Sequence, residues 1–351
     1  MNKETDVKNY FRERLIEWYE PGDRPMPWKE SKNIYHIWLS EIMLQQTRVD
    51  QMLPYFERFV KRFPDVHSLA EAVEDEVLKY WEGLGYYRRA RNLHKAAGLI
   101  AERAEGDAPQ SMKEWMELPG VGPYTAAAIT SFAYGQPNAV LDGNVFRVLA
   151  RFFGLDVPID TSQGKIVFSK LANRLICQKK PALYNQAIMD FGATVCKPAN
   201  PLCSSCPLSD QCLARLGNLI AELPLRSRLP NKKKWKITYC HLHDHHNLLL
   251  VRRPSEGVWG GLYELPAFSG KREMAKWMRD IFDLKLPGTA DPVRIRHELT
   301  HRQIEAEVFS VRVKKLKEVK KESCVLVSSK MLPKFALHSL MKKYFAIFTS
   351  D

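Results

Sequence analysis

Apolar residues recur every three to four positions through the first two-thirds of the chain, the period of helices that bury one face. In residues 7–20 (VKNYFRERLIEWYE), Val7, Tyr10, Phe11, Leu15, Trp18 and Tyr19 share one side. A turn-rich loop follows at 21–28 (PGDRPMPW), and then helix follows helix, with short breaks at Pro54, Pro64, Gly83-Leu84-Gly85, Gly106 and Pro109. Residues 35–46 (YHIWLSEIMLQQ) predict one of these helices. Ser111 and Glu114 form a capping box at the start of a short helix, which Leu118-Pro119-Gly120-Val121-Gly122 stops. Pro123 suits the first turn of the next helix, which continues as an alanine-rich run over 125–134 until Gly135 and Pro137. A further helix is expected over 181–195. No alternating pattern occurs before about residue 236. From Ile237 the period changes: ITYCHLH and NLLLVRR read as strands around an Asp-His-His-Asn turn, IEAEVFSVRV alternates, and Lys271–Phe282 reads as a helix between them. The pattern predicts an all-α domain over 1–224, a basic linker over 225–236 and an α+β domain over 237–351.

Composition sharpens this only in part. A chain of 351 residues with 45% hydrophobic positions holds enough apolar side chains for two packed cores. No apolar run approaches membrane length and the N-terminus carries no secretory segment, so a cytosolic monomer with no membrane partner is expected, associated with the nucleoid if bacterial. Lys and Arg number 53 against 40 Asp and Glu, a net +13 that favours a polyanionic partner without identifying it. The linker LRSRLPNKKKWK contains no acid. Of seven cysteines, Cys196, Cys203, Cys206 and Cys212 crowd into one short loop, a spacing that in a cytosolic chain points to metal rather than disulfides. By residue type alone the loop suits either zinc or an iron–sulfur cluster.

Three stretches carry candidate chemistry. Gly120 and Gly122 precede a helix N-terminus, a phosphate-binding geometry, although a lone GxG more often marks a tight turn. Seven residues past Gly135, Asp142 sits in a Leu-Asp-Gly-Asn turn at the mouth of another helix. Glu41 shares a face with Ile37 and Trp38; a carboxylate there is costly to ionise, whereas the ordinary alternative is a glutamate facing solvent. Gly85-Tyr86-Tyr87 followed by Arg88, Arg89 and Arg91 suits either a base-stack wedge or tyrosines packed at a helix start.

Residues 116–151, with their hairpin and following aspartate, resemble base-excision DNA glycosylases of the endonuclease III superfamily, and more specifically the adenine DNA glycosylases of the MutY type. The resemblance rests also on Ser40-Glu-Ile-Met-Leu-Gln-Gln-Thr-Arg-Val49, the Gly-Tyr-Tyr loop and the four cysteines. Strand-cutting members carry a lysine where Tyr124 stands, so the likeness implies a monofunctional enzyme acting on adenine opposite 8-oxoguanine or guanine in duplex DNA. It implies that Glu41 and Asp142 are catalytic, with Tyr124 and Asn144 in support. Trp28, Lys29 and Gln186 would line the adenine pocket. Gln46, Thr47, Arg48, Tyr86, Arg88, Gly120, Val121 and Gly122 would meet DNA, and the four cysteines would hold a 4Fe–4S cluster. Lys29 and Gln186 depart from the family's usual arginine and glutamate.

Trp259-Gly-Gly-Leu-Tyr-Glu-Leu-Pro resembles the opening of a Nudix-type fold, but after Gly261 the chain has Glu264 and Glu273 without the acidic cluster that holds magnesium. Recognition is therefore expected of this domain, not nucleotide hydrolysis. Leu299-Thr300-His301 stands where the family reads the damaged guanine, commonly with Phe-Ser-His. A lyase on oxidised pyrimidines would need lysine at position 124, and a non-catalytic clamp would not need both carboxylates.

Overall fold

The computed structural model describes residues 3–19, 24–103, 107–227, 232–244, 246–285, 291–316, 319 and 324–348. Residue 20 of the first expected helix, residues 21–23 of the expected loop, the break at Gly106, residues 228–231 of the expected linker and His245 of the expected turn lie outside this set. The chain forms two compact units, one of residues 1–48, 65–67 and 95–229, the other of residues 49–64, 68–94 and 230–351.

The first unit is helical. Its core gathers Phe11, Leu15, Leu149, Phe152, Phe168 and Phe191, all essentially buried, and each such side chain contributes about 1.5–3 kcal/mol of transfer free energy. Phe11 and Phe152 meet at 4.8 Å between ring centroids. The capping box at Ser111 opens the helix Met112–Met116 as the sequence predicts. The helix expected over 35–46 instead runs Ile34–Leu44, because the Asn33 side chain caps its start and the backbone leaves the helical region at Gln45. Gln46, at φ 58°, is left-handed and ends the helix.

The second unit combines two helical segments with a mixed sheet. Pro54 does not break its helix: Val49–Arg62 runs through it. Proline there deletes one backbone bond, while Met52, Phe56 and Phe59 on the buried face hold both halves of the helix in place. The seven strands among the described residues are Lys233–His243 (β1), Asn247–Arg252 (β2), Tyr263–Glu264 (β3), Ala267–Phe268 (β4), Val293–Glu298 (β5), Arg302–Arg312 (β6) and Cys324–Ser328 (β7). Their order is β3-β2-β1-β6-β5, with β4 on β1 and β7 on β2. β1 pairs parallel to β6 in register from Lys233–Arg302 to His243–Arg312, and the other pairings are antiparallel. β1 begins at Lys233, inside the expected linker, because the basic residues 233–236 extend the ladder with β6. The helix Lys271–Phe282 buries Met274 and Met278 against Cys240, Leu242 and Phe309 of the sheet.

Candidate active site

Pro123 occupies the first turn of the helix Pro123–Tyr134, and Gly120 at φ 81° makes the preceding turn that a side chain would strain. Within that turn the Val121 amide donates to the Leu118 carbonyl at 3.2 Å. The Gln45 amide nitrogen donates to Thr125 Oγ1 at 3.1 Å, tying the end of the Glu41 helix to the start of this one. Gln46 and Arg48 lie exposed just beyond, with Thr47 half-buried between them.

Glu41 is buried, 3% exposed. Tyr124 projects from the first turn of its own helix and donates its hydroxyl to Glu41 Oε2 at 2.8 Å. Burial raises the Glu41 carboxyl to about 7, partly opposed by the Tyr124 hydrogen bond and reinforced by the negative charge of Asp142. Asp142 caps the helix Gly143–Phe153: its side chain accepts from the Val145 amide at 2.7 Å and from Asn144 Nδ2 at 2.9 Å. Burial raises its carboxyl too, while these donors and the charge of Arg147 pull it back. Two carboxylates thus share one site with different surroundings. Glu41 has a single hydroxyl donor in an apolar wall, and Asp142 has amide donors at a helix N-terminus, where negative charge is favoured.

The Asp142 turn is fastened from behind. Arg147 donates to Asn144 Oδ1 at 2.9 Å, to the Gly192 carbonyl at 2.6 Å and to the Cys196 carbonyl at 2.7 Å. A Cβ on Gly192 would lie 2.7 Å from that of Asn144, so the helix Pro181–Thr194 passes the turn in direct contact. One turn further along the Gly143–Phe153 helix, Arg151 donates to the carbonyls of Lys197 and Pro198 at 2.7 and 3.0 Å and reaches Cys196 Sγ at 3.6 Å. Cys196, Cys203, Cys206 and Cys212 are all free thiols and line one cavity together with Arg151, Arg215 and apolar side chains such as Val148, Phe152 and Leu202. Burial raises Cys196 and Cys212 and lifts Cys206 to about 11. Four thiolates in such a place need a cationic partner. Among the described residues no three His, Cys, Asp or Glu side chains are grouped as for a single metal ion. The all-thiol donor set around a shared cavity fits a soft metal or an iron–sulfur group.

Trp28 is buried beside Lys29 in the short helix Pro27–Glu30. Lys29 does not stand open: its ammonium pairs with Asp190 at 2.5 Å, and Asp190 also takes Arg24 at 2.8 Å. Burial lowers the Lys29 amine, opposed by Asp190. Gln186 sits one turn before Asp190 on the helix Pro181–Thr194. Asp190, Arg24, Arg147, Arg151 and Gln45 are absent from the residues expected from sequence. Asp190, Arg147 and Arg151 show in sequence only as charged residues on helices that otherwise bury apolar side chains, whereas Arg24 lies in the loop before Pro27 and Gln45 just past the Glu41 helix.

In the second unit, Tyr86 is 47% exposed and left-handed at φ 48°. Its hydroxyl meets Thr300 Oγ1 at 2.5 Å. Arg88 is exposed next to it. Leu299, Thr300 and His301 form the turn between β5 and β6, closed by the Leu299 amide donating to the Arg302 carbonyl at 2.8 Å. The two glutamates of the Nudix-like stretch are both engaged. Glu264 takes Arg253, Tyr239 and His338 at 2.5, 3.0 and 3.1 Å, and Glu273 takes the Ser269 amide and hydroxyl at 2.8 and 2.5 Å.

Comparison with known proteins places the fold in a family. Residues 39–172 match the family model described as HhH-GPD superfamily base excision DNA repair protein, and residues 238–346 match that of the NUDIX domain. The adenine DNA glycosylase of Buchnera aphidicola from Acyrthosiphon pisum is 31% identical over 90% of this chain and 91% of its own length. That of Rattus norvegicus is 32% identical over 86% of this chain and 70% of its own. Among solved structures, a thermostable thymine-DNA glycosylase aligns over 62% of this chain and all of its own at 26% identity and a TM-score of 0.57. An endonuclease III from a DNA complex, at 22% identity and a TM-score of 0.53 over 62% of this chain, shares the fold. The chain belongs to the adenine DNA glycosylases: it is a base-excision-repair DNA N-glycosylase with an N-terminal helix-hairpin-helix domain and a C-terminal Nudix-like domain.

Proposed function

We propose that this enzyme hydrolyses the N-glycosidic bond of adenine opposite 8-oxoguanine, and opposite guanine, without cutting the strand. The observation that carries the reading is the buried Glu41 held by Tyr124 beside an amide-bound Asp142. Loss of adenine leaves a poor anionic leaving group and positive charge on the sugar, after the nucleotide has been swung out of the duplex. Glu41, protonated near neutrality, delivers its proton to adenine N7, so that adenine departs neutral. Asp142, ionised, stabilises the oxocarbenium ion or bonds to it transiently, as in a retaining glycosidase, before water completes the hydrolysis. Tyr124 orients Glu41 and offers no amine for a Schiff base with the sugar. Asn144 steadies Asp142.

Trp28, Lys29 and Gln186 are assigned to the adenine pocket. The Asp190 partner of Lys29 makes the lysine a wall held in place rather than a mobile donor. Gln46, Thr47, Arg48, Arg88 and the amides around Gly120–Gly122 are assigned to DNA, Tyr86 to the base stack, and Leu299, Thr300 and His301 to the base opposite adenine. Cys196, Cys203, Cys206 and Cys212 are assigned to a 4Fe–4S cluster. When bound, the cluster would offset part of the thiolate charge and crosslink the loop that Arg147 and Arg151 grip.

Single-turnover cleavage of duplexes carrying A opposite 8-oxoguanine, G or T tests the reading, with products resolved with and without alkali. The expected result is breakage only after alkali, fastest opposite 8-oxoguanine, with Glu41→Gln slower by about a thousandfold or more. Breakage without alkali would overturn the monofunctional assignment, and tight binding without product from any duplex would overturn catalysis.

A further inference from the structure

Glu82 ends the helix Glu74–Trp81 and starts the turn Gly83-Leu84-Gly85 that delivers Tyr86. Its side chain is 7% exposed. Oε1 accepts the Leu337 amide at 2.8 Å, while Oε2 accepts Lys79 at 2.7 Å and Lys342 at 3.0 Å. A surface ion pair would mean little, but a buried carboxylate with three donors, one a backbone amide 255 residues away, fixes a distant segment to this turn. That segment continues into the site that faces Tyr86. His338, next after Leu337, stacks on Trp259 with ring centroids 3.8 Å apart and planes within 2°. Trp259 in turn lies 5.8 Å from His297 of β5, two residues before the Leu299-Thr300-His301 turn. The path of contacts closes at the bond between the Tyr86 and Thr300 hydroxyls.

The turn itself leaves little slack. Gly83 and Gly85 are left-handed at φ 109° and 73°, and Trp81 Nε1 and Arg89 both donate to the Gly85 carbonyl, at 3.1 and 3.2 Å. A Cβ on Gly83 would collide with the Tyr55 hydroxyl. Tyr86 is a bulky residue held left-handed, a conformation that persists only where its surroundings over-determine it.

We propose that Glu82 is a positioning residue that holds Tyr86 and Thr300 together as one preassembled reader of the base opposite adenine. The inference rests on the assignment of Tyr86 to the base stack and of Thr300 to that base. A preassembled reader gains selectivity because its ordering cost is met before DNA arrives, and an 8-oxo group then needs only to exchange partners with hydroxyls already in place. Glu82 touches no substrate, so its removal should lower the preference for 8-oxoguanine over guanine and leave the chemical step alone.

The test is the ratio of single-turnover rate constants for adenine opposite 8-oxoguanine and opposite guanine, in wild type, Glu82→Ala, Glu82→Gln, Thr300→Ala and the double variants. Glu82→Ala is expected to lower the ratio about five- to tenfold while the rate opposite guanine stays within about twofold. Glu82→Gln, which keeps an acceptor for the Leu337 amide, should restore most of the ratio. Neither change should add to that of Thr300→Ala. Equal loss on both duplexes would mean a merely structural glutamate and overturn the proposal, as would effects additive with Thr300→Ala. Should Glu82→Ala not fold, Lys342→Ala in the Glu82→Gln background decides, since it removes a further donor to the same side chain: a ratio lowered at least threefold that vanishes when Thr300→Ala is added supports the proposal, and a ratio equal to wild type overturns it. A wild-type enzyme that removes no adenine, or removes it equally from both duplexes, would instead refute the underlying assignment, and the inference would fall with it.

Discussion

Glu41 is the residue on which pH should act most directly. Its carboxyl titrates near 7 in the folded protein and in the ordinary carboxylate range when unfolded. Between those values the native state holds a proton that the unfolded chain has released, so stability falls as pH rises through this window. The effect amounts to about 3 kcal/mol once pH exceeds the folded value. Glu41→Gln removes the ionisation and can still accept from Tyr124. Urea titrations should therefore find the variant level with wild type near pH 4.5 and more stable than it near pH 8. For activity the sign is the same on the alkaline side: the rate should fall through about pH 7 as Glu41 loses its proton. The acid limb should follow Asp142, above the usual aspartate range. Equal stability of wild type and variant at pH 8 would show that Glu41 ionises without cost. Much of this site was legible residue by residue, because Glu41, Tyr124 and Asp142 sit in recognisable strings. The engagement of Lys29 was not: its partner Asp190 lies 161 residues away on a helix that periodicity alone marks as core.

At the scale of elements, the helix Gly143–Phe153 links the aspartate turn to the thiol loop through Arg147 and Arg151, and the helix Pro181–Thr194 closes it from one side. That closure depends on Gly192 having no side chain. Gly192→Ala should press on Asn144, displace Asp142 and cost about 1–3 kcal/mol in stability, with the excision rate about tenfold or more lower on every mispair. An unchanged rate would show that the turn has room the contact distance denies it. Element boundaries were the less legible part of the chain. Pro54 reads as a break, but three buried apolar side chains carry the helix through it. The basic run at 233–236 reads as linker, but its ladder partners lie about 70 residues further on, where no local pattern reveals them. Strand pairing is settled by distant hydrogen bonds, helices by near ones, and legibility follows that difference.

At the scale of the whole molecule, the change of period near residue 236 suggests a cut between a helical and a mixed domain. The compact units follow another line, since residues 49–64 and 68–94 pack with the sheet. Arg252 pairs with Asp75 at 2.7 Å and Glu74 at 3.2 Å, Tyr263 donates to Asp75 at 2.9 Å, and Leu78 lies in the wall against Gly261. Removing residues 230–351 should uncover this surface. The remaining chain should unfold at a lower temperature and in a broader transition than the same residues within the full protein, as differential scanning calorimetry would record. Unfolding as sharp and as late as in the full protein would mean that the helices around Trp81 need nothing from the sheet.

Glu264 and Glu273 also bear on how this protein can change. Glu264 serves as a strut, with Arg253, Tyr239 and His338 all built onto it. Turning it outward to hold magnesium would strand three buried partners at once, and no single substitution supplies both the missing acids and new tenants for those donors. The acid is committed to packing: any change that frees it to hold a metal must first rehouse the guanidinium, phenol and imidazole that now lean on it.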